Sequence, residues 1–99
     1  VAIYNFRNKA TEDINYGHVT KNSLKLLPKT LHQKAQIKLA RISAATSLED
    51  LRELRGNRLE TLQGDRQGQY SIRINDQYRI CFRWLQENAY DVEIIDYHD

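Results

Sequence analysis

Residues 70–84 read Tyr70-Ser71-Ile72-Arg73-Ile74-Asn75-Asp76-Gln77-Tyr78-Arg79-Ile80-Cys81-Phe82-Arg83-Trp84. Tyr70, Ile72 and Ile74 alternate with Ser71, Arg73 and Asn75, and after a tight Asn75-Asp76-Gln77 turn the period of two resumes. Tyr78, Ile80, Phe82 and Trp84 then alternate with Arg79, Cys81 and Arg83. Strict alternation on both sides of a polar turn predicts two antiparallel strands joined as a hairpin. Successive strand side chains point to opposite faces, so the apolar set covers a core and Arg73, Arg79 and Arg83 share the other face. A one-residue bulge would remove an arginine from that set.

The flanking residues extend the sheet. Before the hairpin, residues 58–62 read as a strand, and Gly64-Asp65-Arg66-Gln67-Gly68 is turn chemistry. A straight strand there would send Leu59 and Leu62 to opposite faces. After the hairpin, Val92 and Ile94 alternate with Asp91, Glu93, Ile95 and Tyr97. That pattern predicts a last strand with Tyr97 on the arginine face.

Towards the N-terminus the period becomes helical. Leu31, Ala35, Leu39 and Ile42 form an apolar stripe after Pro28, with Lys34, Lys38 and Arg41 expected on the solvent side. Asn8 suits the cap of a short helix over residues 9–16, which Gly17 would end. Ser47, with Asp50 three residues on, suits the start of a turn carrying Leu48, Leu51 and Leu54. Residues 1–6 read as a short strand and residues 17–25 as a polar loop. The expected fold is α+β: two N-terminal helices packed on one face of a twisted, mostly antiparallel sheet of four to five strands. The polar face stays open.

Ninety-nine residues with 40% hydrophobic content suit a single domain spanning residues 1–99. No apolar stretch approaches the roughly 20 residues of a membrane span, and no apolar signal-peptide core stands near the N-terminus. One cysteine cannot form an internal disulfide or a cysteine zinc site, so a reducing cytoplasm is expected. The formal charge is only +2, yet it is unevenly spread. All six lysines lie at or before Lys38, seven of nine arginines lie between Arg52 and Arg83, and residues 84–99 hold five acids and no Lys or Arg. So small an excess cannot hold RNA by counterion release alone, and local geometry or a larger host must add affinity.

Chemistry is best sought on the arginine face. Arginine is permanently charged and meets phosphate oxygens as a rigid fork. An isolated strand arginine is more often a solvated charge, but three on one hairpin could clamp a phosphate and stabilise its five-coordinate transition state. RNA carries its own nucleophile in the 2′-hydroxyl, so cleavage needs a base, an acid and charge stabilisation, with no metal or other cofactor. His98 titrates in the useful range, and a tyrosine such as Tyr97 serves as base only where positive charge favours its phenolate. Their plainer readings are a frayed penultimate residue and a rim aromatic. Glu60 is either a base or a surface carboxylate paired with an arginine. Cys81 reads as a small filler between arginines, His18 as a loop residue and His32 as a helix-surface residue. The two histidines lack metal-ligand spacing.

The segments Leu48 to Leu54, Gly56-Asn57-Arg58-Leu59-Glu60, Gly64-Asp65-Arg66, Ser71-Ile72-Arg73, Tyr78-Arg79-Ile80-Cys81-Phe82, Val92-Glu93-Ile94 and Asp96-Tyr97-His98 occur in an order that resembles the HigB branch of the RelE-like toxins. The resemblance covers nearly the whole chain and is densest over 56–83 and 95–98. It implies the toxin of a type II toxin–antitoxin pair, a ribosome-dependent mRNA endonuclease (mRNA interferase) acting in the ribosomal A site without a metal. It further implies neutralisation by a HigA-like helix-turn-helix antitoxin, through which the toxin reaches operator DNA indirectly.

Carried over by position, Arg79 matches the family's catalytic arginine and Tyr97 its C-terminal tyrosine, flanked by Asp96 and His98. Arg58, Arg66, Arg73 and Arg83, with Lys34 and Lys38, are the candidate RNA- or phosphate-binding residues. Some relatives place a histidine and a lysine where this chain has Glu60 and Gln63. Either Glu60 takes over proton transfer, or the chain is a slower nuclease leaning on Arg79 and Tyr97. Two other functions stay open: a ParE-like gyrase poison, and an inactive toxin that survives as antitoxin partner and operator co-repressor.

Overall fold

The computed structural model describes residues 3–97. Four helices precede a four-stranded antiparallel sheet: α1 (Lys9–Asn15), α2 (Lys21–Leu26), α3 (His32–Ala44) and α4 (Leu48–Arg52), then β1 (Glu60–Thr61), β2 (Tyr70–Arg73), β3 (Tyr78–Leu85) and β4 (Asn88–Asp96). Spatial order follows chain order, β1-β2-β3-β4. Near the N-terminus, Ile3 and Phe6 each form a single parallel bridge, to Ala89 and Val92, so residues 3–6 flank β4 without making a regular strand.

One face of the sheet carries the core. Ile72, Ile80, Phe82, Val92 and Ile94 pack with Ala35, Leu39 and Ile42 of α3, Ile14 of α1 and Leu51 of α4. The alternation in the hairpin is met residue by residue: Ile72 lies opposite Ile80, Ser71 opposite Cys81 and Arg73 opposite Arg79. The Asn75 side chain closes the hairpin by accepting from the backbone N–H groups of Gln77 and Tyr78 at 2.9 and 2.8 Å. This Asx turn mimics a backbone turn. The expected architecture holds.

Several local expectations do not. Residues 17–25 do not stay a loop, because Lys21–Leu26 is helical. Thr20 and Ser23 cap it reciprocally, and the Thr20 hydroxyl donates to Asp13 at 2.9 Å. A six-residue polar helix has no apolar stripe to betray it; its support is this capping and a buried carboxylate from α1. The strand expected over 58–62 shrinks to Glu60–Thr61, because Arg58 takes a left-handed conformation with φ 44° and ψ 58°. That bend lets Leu59 pack against the core while Leu62 is buried, the conflict a straight strand could not resolve. His32 is buried instead of on the helix surface, with Nε2 2.8 Å from the Leu27 carbonyl. Lys38 is also buried, contrary to its expected place on the solvent side of α3. At the end of α1 the expectation stands: Tyr16 is the C-cap and Gly17 follows at φ 75°, a region in which a Cβ is strained.

Candidate functional site

Arg79 is the centre of the open face. Its residue is only 6% exposed, which a guanidinium tolerates when its donors are matched. Nε donates to Ser71 Oγ at 2.7 Å, and Nη2 donates to the carbonyl oxygens of Arg58 at 2.5 Å and Ser71 at 3.2 Å. Nη1 lies 3.9 Å from Glu60 Oε1. The guanidinium is therefore fixed along two edges by β2 and by the bend at Arg58, and its third nitrogen faces the carboxylate.

Tyr97 stands on the other side. Its N–H donates to the Gln77 carbonyl at 2.7 Å, which carries the ladder past the end of β4. Its ring centroid is 5.6 Å from Arg79 Cζ, within range of a cation–π contact. Arg73 lies directly across from Arg79, and like charges so placed repel. Asp76 relieves this by pairing with Arg73, as Glu60 does beside Arg79. The result is a cleft of about 210 Å³ lined by Arg58, Glu60, Arg73, Asn75, Asp76, Arg79 and Tyr97. Its polar walls carry three arginines and two acids.

Arg66 and Arg83 belong to a neighbouring part of the face. They line a second depression with Arg7, Asp65 and Gln69. Arg66 Nη1 donates to Glu93 Oε1 at 2.7 Å and to Gln69 Oε1 at 3.2 Å, while Arg83 Nε is 3.8 Å from Asp91. A bulge does occur here, between the Cys81–Glu93 and Arg83–Tyr90 pairs. Because β3 advances two residues while β4 advances three, the extra residue is on β4, and Arg83 keeps its side. Between the two groups sits Cys81, fully buried, with burial pushing its thiol up to about 11. The expectation of a filler fits that thiol: at neutral pH almost none of it is thiolate, the reactive form.

The lysines stand apart. Lys34 is exposed on α3 and lines neither depression. Lys38 cannot be a surface phosphate ligand, since its ammonium is turned inward and donates to the Gly56 carbonyl at 2.9 Å and to Asn57 Oδ1 at 3.0 Å. Burial, then the nearby cations Arg41, Lys34 and Arg73, lower its pKa to about 8. His98 lies outside the described residues.

Residues 4–98 match the HigB-like toxin family, described as the RelE-like toxin of the type II toxin–antitoxin system HigB. The chain belongs to that family. HigB-1 toxin of Vibrio cholerae is 41% identical over 61 residues, which cover 62% of this chain and 64% of that protein. An uncharacterized protein of Haemophilus influenzae is 38% identical over 58 residues, 59% of this chain and 57% of its own length. The chain thus spans 64% and 57% of these curated relatives. Among solved structures, a chain of the YoeB–YefM complex from Staphylococcus aureus superposes with a TM-score of 0.58 at 23% identity, covering 95% of this chain and 93% of that one. At that identity the likeness is one of fold, and it agrees with the RelE-like architecture of the HigB-like family.

Sequence reasoning about this HigB-like chain missed three contributors to the cleft. Ser71 supplies the oxygen that aims Arg79, Asp76 balances Arg73, and the Arg58 carbonyl matters as much as its side chain. Ser71 left a signal, a small hydroxyl on the arginine side of β2. The carbonyl left none, because a left-handed arginine cannot be read from residue type.

Proposed function

We propose that this chain is an endoribonuclease that cuts mRNA on the ribosome and so arrests translation, and that a HigA-like antitoxin holds it in check. Family membership supports the toxin class. The observation that carries the nuclease reading is the fixed Arg79 guanidinium, with Glu60 3.9 Å away on one side and the Tyr97 ring 5.6 Å away on the other.

A ribonucleotide linkage entering that cleft brings its nucleophile with it. Glu60 takes the proton of the 2′-hydroxyl, and the oxygen attacks the adjacent phosphorus. As the phosphorus becomes five-coordinate its oxygens gain negative charge, which Arg79 neutralises without having to reorganise. The 5′-oxygen leaves with a proton from Tyr97 or His98, giving a 2′,3′-cyclic phosphate and a 5′-hydroxyl. Arg58 and Arg73 hold flanking phosphates, and Arg66 and Arg83 extend the track along the same face. A net charge of +2 is too small for tight binding to naked RNA, so the ribosome supplies the template and most of the affinity. The site of action is then the cytoplasm, and the antitoxin carries the pair to operator DNA.

Inducing the chain without antitoxin should stop growth and generate new 5′ ends within translated transcripts. Arg79→Ala should lower the cleavage rate by about 10²–10³-fold, the cost of losing a preorganised charge partner. Glu60→Gln should lower it by about 10²–10⁴-fold if the carboxylate is the base. A folded Arg79→Ala variant that cleaves at the wild-type rate would sink the reading, and DNA breaks in place of mRNA cuts would replace it with a gyrase poison. The Glu60–Arg79 pairing also favours a second reading, in which the carboxylate quenches the arginine and the chain serves as antitoxin partner and co-repressor. Absence of growth arrest alongside intact operator repression would select that one.

A further inference from the structure

We infer that Lys38 and Asn57 are positioning residues for Arg79, holding the 56–58 turn in the shape that delivers the Arg58 carbonyl to the guanidinium. This rests on Arg79 being the arginine that meets the phosphate.

The contacts run in one continuous path. From α3, Lys38 Nζ donates to the Gly56 carbonyl at 2.9 Å and to Asn57 Oδ1 at 3.0 Å, and Arg41 Nη1 reaches the same Oδ1 at 3.3 Å. Asn57 is fully buried, and its Nδ2 donates to the Leu51 carbonyl at the end of α4, at 3.1 Å. Asn57 is thus clamped between two helices, and the next residue, Arg58, is left-handed at φ 44°. A side chain with a Cβ persists there only when its surroundings over-determine it. The over-determination comes from the Lys38–Asn57–Arg41 cluster, and its product is a carbonyl 2.5 Å from Arg79 Nη2.

Two alternatives are weaker. A phosphate role for Lys38 is excluded by its burial. A purely structural role would not require a buried cation, because an apolar residue of similar length would pack at least as well beside Leu39 and Ile42. The lysine makes sense as a donor aimed at two acceptors that must stay where they are.

The test uses the full ¹⁵N-labelled chain. In the wild type the Arg79 Nη2–H signals, recorded at low temperature and assigned by their loss in Arg79→Lys, should exchange slowly with solvent, since Nη2 is the donor to the Arg58 carbonyl. Lys38→Met and Asn57→Ala should speed that exchange by at least about 10-fold, the factor that goes with losing a charge-assisted hydrogen bond. Ile14→Val, a core change remote from the turn, should leave it alone. In cleavage of translated mRNA, kcat should fall by about 10–100-fold in Lys38→Met while KM stays within about 3-fold. Unchanged Arg79 exchange in folded Lys38→Met and Asn57→Ala would overturn the inference. Where Lys38→Met fails to fold, Asn57→Ala, which removes the shared acceptor, carries the test alone and is read the same way. If the wild type does not cut mRNA at all, the nuclease reading fails, while the side-chain signal still decides whether Lys38 and Asn57 hold Arg79.

Discussion

A lysine at position 79 would leave some of the present acceptors unmet. Three acceptors and one carboxylate lie around the guanidinium in directions that only a planar fork meets together, so the site selects geometry as much as charge. Lys38 shows the complementary case, a compact ammonium buried against two oxygens. Its pKa is lowered to about 8, whereas the unfolded chain keeps the ordinary lysine value near 10.5. Above pH 8 the unfolded state binds more protons than the folded one at this residue, so the residue's contribution to stability rises with pH. Cys81 acts in the opposite sense above about pH 9, since its thiol is raised to about 11 and the unfolded chain ionises first. The clean measurement is a difference. Between pH 7 and 9, the melting temperature of the wild type should gain on that of Lys38→Met, and parallel curves would contradict the assignment.

At the scale of elements, the α1–α2 pair has little intrinsic preference to form. Helices of seven and six residues are too short to persist alone. What joins them is Asp13, 3% exposed, which accepts from Thr20 Oγ1 at 2.9 Å and pairs with Lys9 Nζ at 3.0 Å. The Lys9 and Thr20 hydrogen bonds hold its carboxyl below the usual value. The stability it adds is therefore complete above about pH 4 and is lost as pH falls through the lowered value. Asp13→Asn should remove this acid-dependent step and unfold α2 first, seen as fast amide exchange over 21–26; protection equal to wild type would refute the clamp. The same pair marks the limit of pattern reading. The β2–β3 hairpin and α3 each carry their own periodicity, and both were legible. Helix α2 depends on the Thr20–Ser23 caps and on Asp13 of α1, and neither announces itself as a periodicity.

Across the whole molecule, the legible and illegible parts of the site divide in the same way. Alternation alone put Arg73, Arg79 and Tyr97 on one side of the sheet, and they do line one cleft. The division of the arginine face into two depressions could not be read, because alternation assigns each residue a face but not its neighbours, which the bend at Arg58 and the bulge in β4 help to set. Nor could the inward turn of Lys38, since helical spacing leaves a residue at the border of the stripe free to go either way. Charge neutralisation on this face is nearly complete, and a partner must therefore displace carboxylates as well as approach arginines.

Cys81 is the chain's sole sulfur atom, sealed beneath that face at 0% exposure. In the intact protein a thiol-modifying dye should find nothing to react with at neutral pH, so each molecule tagged has come apart at the centre of its sheet. The rate of tagging would then clock the opening of β3 from its neighbours, and comparing samples with and without a bound partner would report directly how firmly that partner keeps the strands together.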